Sequence, residues 1–124
     1  AAGIVHFSTT FFWVEATEEA IFRHLHLPFL KTDGAKLSGF PRVRVECDYL
    51  FPIYRDDVVK VTLTPAEIGD KKLVWIFDAH VGERAVAKGK LTTVYAWRDG
   101  QSPMSAALVP LEIKQALQRH FGEV

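Results

Sequence analysis

Between Ser8 and Leu27, apolar side chains recur at helical spacing in the run "FFWVEATEEAIFRHLHL", and no glycine or proline interrupts them. Phe11, Phe12, Val14, Ala16, Ala20, Ile21, Phe22 and Leu25 spread over much of the helix surface. So wide an apolar face predicts a helix wrapped by other elements rather than one lying on an open surface. Ser8, Thr9 and Thr10 are candidate N-caps, and Pro28 is the stop. The segment "KTDGAKLSGFP" (31–41) is polar and contains glycine, and it reads as a loop. The period then changes to two. Val43, Val45, Cys47 and Tyr49 alternate with Arg42, Arg44, Glu46 and Asp48, the pattern of a half-buried strand. Further strands are predicted over 57–69, 71–81 and 85–97, with turns at Gly69-Asp70 and Gly82-Glu83-Arg84 and a break at Arg98-Asp99-Gly100. "VPLEIKQALQRHF" (109–121) predicts a short closing helix with Pro110 in its first turn. One long apolar helix, four antiparallel strands and a C-terminal helix make an α+β chain.

Composition narrows the picture. The 124 residues suit one domain, and 48% hydrophobic with 12% aromatic content suits a packed core rather than disorder. Fifteen basic residues balance fifteen acidic ones, which counts against a general nucleic-acid or anionic-membrane binder. Cys47 is the only cysteine, so an intrachain disulfide is excluded and a reducing, cytoplasmic setting is permitted. Its place in an alternating strand points to a small buried hydrophobe rather than a nucleophile. No apolar run approaches the ~18 residues of a membrane-spanning helix.

The arrangement of a long apolar helix wrapped by an antiparallel sheet resembles the hot-dog fold. The segment "AAGIVHFSTTFFWVEA" is similar to the loop-to-helix segment of hot-dog acyl-CoA thioesterases of the 4-hydroxybenzoyl-CoA thioesterase type. Gly3, Ile4, Val5, His6 and Phe7 match that family's loop, and Glu15 with Ala16 its helix. Asp57, Val59 and Val61 fit its polar turn before a Val-x-Val strand, "AKGKLTTVYAW" its last strand and "LVPLEIKQAL" its closing helix. The likeness spans nearly the whole chain as a single domain (1–124). It implies hydrolysis of acyl-CoA or acyl-carrier thioesters, coenzyme A entering as part of the substrate with no further cofactor or metal, and a homodimer or homotetramer with the acyl slot between subunits. The family's catalytic Asp stands three residues before the loop glycine. Counting back from Gly3 places it just upstream of Ala1, together with the family's first strand.

The residues themselves suggest how a thioester would be met. Backbone N–H groups of Val5, His6 and Phe7, leading into the long helix, are candidates to polarise its carbonyl, helped by the helix dipole. Gly3 either lets the backbone approach the thioester or simply makes a turn. His6 would bond substrate or orient a water, or else pack at the helix start. Glu15, flanked by Trp13, Val14 and Ala16, is a candidate base or water-positioning group, or a helix residue paired with an arginine. Glu18 and Glu19 read as solvated or paired with Arg23. Phe11 and Phe12 are candidate walls of an acyl slot. Arg84, Lys88 and Lys90 are candidate contacts for the phosphates of coenzyme A, or an ordinary charged face. Two other hot-dog readings compete: an acyl thioester hydratase or dehydratase, whose His-x-x-x-x-Pro-Gly-like signature the chain lacks, and a non-catalytic binding or structural protein.

Overall fold

The computed structural model describes residues 3–124. Helix α1 (Thr9–His24) is followed by strands β1 (Lys31–Asp33), β2 (Lys36–Gly39), β3 (Arg42–Tyr49), β4 (Val59–Ile68), β5 (Lys72–Val81), β6 (Arg84–Val94), β7 (Ala96–Asp99) and β8 (Ser105–Ala106), then helix α2 (Leu111–Phe121). All strand pairings are antiparallel, in the orders β3-β6-β5-β4 and β1-β2-β7-β8. The chain passes from one sheet to the other at two adjacent places, Phe40-Pro41 and Tyr95. Pro41 has no N–H to extend a ladder, yet its carbonyl still accepts from Val94 at 3.1 Å. Among the described residues, no helix is long and apolar enough to cross a membrane.

Three expectations change. The 31–41 segment is not a loop but the β1–β2 hairpin, and the last strand bends at Tyr95 into β6 and β7. These strands exist through ladder pairing: β1 is exposed along its whole length, so no alternation of polarity marks it. The helix also stops before Pro28. His26 takes the left-handed conformation (φ 56°), with Leu27 N–H bonding to the Phe22 carbonyl at 2.8 Å and His26 N–H to the Arg23 carbonyl at 3.1 Å. This pair of bonds is a Schellman closure, and it drops Leu27 into the core.

α1 lies across the larger sheet. Its Val14 and Phe22 pack with Leu63, Leu73, Trp75, Phe77 and Leu91 from the strands and with Ile113 and Leu117 from α2. Trp75, Phe77 and Phe22 are completely buried. Gly89 of β6 makes room for Phe77: a Cβ there would stand 2.0 Å from the Glu46 carbonyl and 2.4 Å from the Phe77 ring. A second cluster of Ile53, Ala79, Val86 and Ala87 takes in the side chains of Val5 and Trp13. It fixes the 3–8 segment against the sheet.

Candidate active site

The 3–8 segment is held by three backbone bonds. Val5 N–H donates to the Ile53 carbonyl at 2.7 Å, Arg55 N–H to the Gly3 carbonyl at 2.8 Å, and Thr9 N–H to the His6 carbonyl at 3.0 Å. Gly3 has φ +70°, and a Cβ built on it would meet nothing within 4 Å. The glycine therefore serves a backbone turn, not a crowded approach. The Val5 N–H is committed to Ile53, so it is not a free donor. The N–H groups of His6 and Phe7 have no acceptor among the described residues.

The expected capping by Ser8, Thr9 or Thr10 is not made. Ser8 has helical angles and no side-chain cap bond. Its hydroxyl lies 2.7 Å from His6 Nδ1, and its N–H donates to the same nitrogen at 3.3 Å. His6 is thus exposed and turned back on the helix start, with Nδ1 as acceptor and the ring stacked on Phe7 at 4.6 Å. The N–H groups of Ser8, Thr9 and Phe11 are taken by His6 Nδ1 and by the His6 and Ser8 carbonyls, so the helix start offers developing negative charge the positive end of its dipole, with the His6 and Phe7 N–H groups just ahead of it.

Beside these groups lies an apolar cleft of about 370 Å³, lined by Ile4, Val5, His6 and Phe7, by Leu50 to Ile53, and by Thr10 and Tyr49. The Tyr49 phenol donates to the Phe7 carbonyl. Burial raises the pKa of the phenol and also that of the Cys47 thiol, which works against a thiolate nucleophile.

The other sequence-predicted residues divide. Phe11 lines a separate groove with Val14, Glu15, Arg42, Val45 and Leu91, and Phe12 is 68% exposed on the helix surface. Neither lines the cleft. Arg84 comes to its edge, with the guanidinium 4.9 Å from the Phe51 ring centroid. Lys88 and Lys90 are exposed on β6 between buried Ala87 and Leu91. Lys88 sits in register between Asp48 and Asp78, and Lys90 opposite Glu46, which offsets their charge locally.

Glu15 is half exposed, 3.5 Å from Arg42. The desolvated carboxylate is instead Glu18, which was expected to be solvated or paired with Arg23. Its side chain is wholly buried and takes a 2.7 Å bond from Arg42. Arg42 also donates to the Phe40 carbonyl and lies over Phe29. Burial pushes the Glu18 pKa up to about 7, against the opposing pull of Arg42. The signal was spacing: Glu18 stands four residues from both Val14 and Phe22, on the stripe that faces the core. Tyr49 and Thr10 were missed as cleft residues. The one available sign was the loss of alternation after Tyr49, where Leu50, Phe51 and Ile53 crowd together.

No protein-family model matches the chain, and no curated protein matches it by sequence. Solved structures do. A gentisyl-coenzyme A thioesterase superposes with TM-score 0.77 at 21% identity, over 94% of this chain and 89% of that one. A 1,4-dihydroxy-2-naphthoyl-CoA thioesterase from Synechocystis gives TM-score 0.77 at 17% identity, over 94% and 85%. The dynemicin thioesterase gives TM-score 0.77 at 19% identity, over 94% and 84%. Long helix, antiparallel sheet and short C-terminal helix together are the hot-dog fold that this chain shares with those thioesterases.

Proposed function

We propose that the protein hydrolyses acyl thioesters of coenzyme A or of a carrier's pantetheine arm, releasing the free acid and the thiol. The observation that carries the reading is the pair of N–H groups on His6 and Phe7 that have no acceptor among the described residues, just ahead of the helix start and beside an apolar cleft. A thioester carbonyl seated there gains negative charge as water adds, and preorganised donors stabilise that charge without reorganising. The water oxygen bonds to the acyl carbon. The C–S bond breaks with its electron pair on sulfur, and the thiolate takes up the proton that the water has lost. The base for that proton is the carboxylate that the family resemblance places ahead of Gly3, outside the described residues.

Arg84 at the cleft edge suits a coenzyme A phosphate. A cytoplasmic location is part of the same proposal. A homodimer fits as well. β3 is the outer strand of its sheet, and it exposes Val43, Val45 and Tyr49, an unpaired apolar edge that a second copy would cover.

Product analysis after incubation with acyl-CoAs in ¹⁸O-labelled water tests the chemistry. One labelled oxygen per acid, with equimolar free thiol, supports hydrolysis. An intact thioester with water added to or lost from its acyl chain contradicts it and supports a hydratase or dehydratase.

A further inference from the structure

Two threonines of α1 use their hydroxyls differently. Thr17 does what a helical threonine ordinarily does: its hydroxyl donates to the carbonyl four residues back, that of Trp13, at 2.8 Å. Thr10 makes no such bond back to the His6 carbonyl among the described residues. Its hydroxyl lies within hydrogen-bond range of the Tyr49 phenol. Thr10 is 1% exposed, so solvent does not compete for that contact. The single proton of the phenol goes to the Phe7 carbonyl. The phenol oxygen can still accept, and a threonine hydroxyl can donate. The three groups therefore form one line, Thr10 hydroxyl to Tyr49 phenol to Phe7 carbonyl. It runs from the first turn of α1 through the end of β3 and back to the residue just ahead of the helix. A phenol that accepts at its oxygen is a stronger donor at its hydrogen, so the first bond of the line supports the second.

We infer that Thr10 is a positioning residue, which acts through Tyr49 to hold the loop whose His6 and Phe7 N–H groups meet the thioester carbonyl. The inference rests on the thioester hydrolysis proposed above. Thr10 itself touches neither substrate nor the reacting water. Only the φ and ψ of Phe7 separate the pinned carbonyl from the Phe7 N–H, so fixing the one limits the swing of the other. A donor held in place before the reaction loses nothing to reorganisation when charge develops on the carbonyl oxygen.

A double-mutant cycle read in kcat tests the line of bonds. Thr10→Val keeps the shape and removes the donor. It is expected to lower kcat about threefold to tenfold with KM changed less than about twofold. Added to Tyr49→Phe, it is expected to lower kcat by less than about a further twofold, because the group it acts through is already gone. Thr10→Ser keeps the hydroxyl and is expected to retain most of kcat. Amide exchange at His6 and Phe7 should quicken in Thr10→Val as it does in Tyr49→Phe, a readout that needs no substrate. If the valine variant does not fold, Thr10→Ala enters the same cycle. Wild-type kcat in Thr10→Val would overturn the inference. So would effects of the two substitutions that multiply, or a serine variant as impaired as the valine one. An unaltered protein that releases no thiol from any acyl-CoA would sink the hydrolysis reading and the inference with it. Turnover by the unaltered protein, with exchange at His6 and Phe7 unmoved in Thr10→Val, would sink the inference alone.

Discussion

The phenol of Tyr49, at the end of β3, donates its hydrogen bond to the carbonyl of Phe7, 42 residues earlier and just ahead of α1. This bond lies beside the cleft and ties the segment bearing the His6 and Phe7 N–H groups to the sheet. Tyr49→Phe keeps the ring and removes the tether. We expect kcat to fall about tenfold with a smaller change in KM, because a loosened donor is lost mainly from the transition state. The stability cost should be about 1 kcal/mol or less for one exposed bond. Amide exchange at His6 and Phe7 should rise, and unchanged exchange together with unchanged kcat would show the tether to be idle.

The buried Glu18–Arg42 pair makes stability depend on pH in a definite direction. Glu18 titrates at about 7 in the folded chain, against 4.5 as the ordinary value. Between these values the folded state holds a proton that the unfolded state has lost, so raising the pH through this window destabilises the fold. The cost is complete above pH 7 and absent below about 4.5. Glu18→Gln removes it. The variant is expected to exceed the wild type at pH 8 by up to about 3 kcal/mol and to match it near pH 4.5, read from denaturant unfolding at the two pH values. A variant that is less stable at pH 8 would show that the ionised pair stabilises the fold.

Exposed apolar residues on the outer strand β3 predict self-association. Sedimentation of the unaltered protein should show a dimer or a dimer of dimers, and Val45→Lys should shift it to monomer, since a charge on the exposed apolar strand opposes burial against a second copy. A wild-type monomer at micromolar concentration would remove β3 as an interface.

Arg84 stacks on Phe51 at the cleft edge, whereas Lys88 and Lys90 are matched by Asp48, Asp78 and Glu46 across the ladder. Arg84→Ala is therefore expected to raise KM for coenzyme A thioesters about tenfold, as for loss of one charge-assisted phosphate contact. Thioesters of a short, phosphate-free thiol should be hydrolysed as before. Equal effects on both would place Arg84 in packing rather than in phosphate binding.

The sequence disclosed those parts of the fold whose burial repeats along the chain, α1, β4 to β6 and α2, and it located β3 by its alternation although that strand is exposed almost throughout. The β1–β2 hairpin stayed hidden because β1 is exposed throughout and the buried residues of β2 are Ser38 and Gly39, which carry no apolar signal; the distant partner β7 makes it part of a sheet. The site was legible as a loop, not as a set of atoms. Gly3 to Phe7 could be located from their likeness to a family, but the loss of the Val5 N–H to Ile53 depends on a contact 48 residues away. Glu15 drew attention by its apolar sequence neighbours. Burial on a helix is set by residues three and four apart, and that rule selects Glu18. Thr10 read as a cap because threonine at a helix start usually caps, and only the packed structure shows it buried beside Tyr49.

The central claim is that this cleft hydrolyses thioesters, and steady-state release of free thiol from acyl-CoAs of graded chain length and aromaticity tests it most directly. Saturable release from at least one acyl class, weakened by Tyr49→Phe, is the expected result. A folded full chain that releases no thiol above the uncatalysed rate from any member of the series would contradict it.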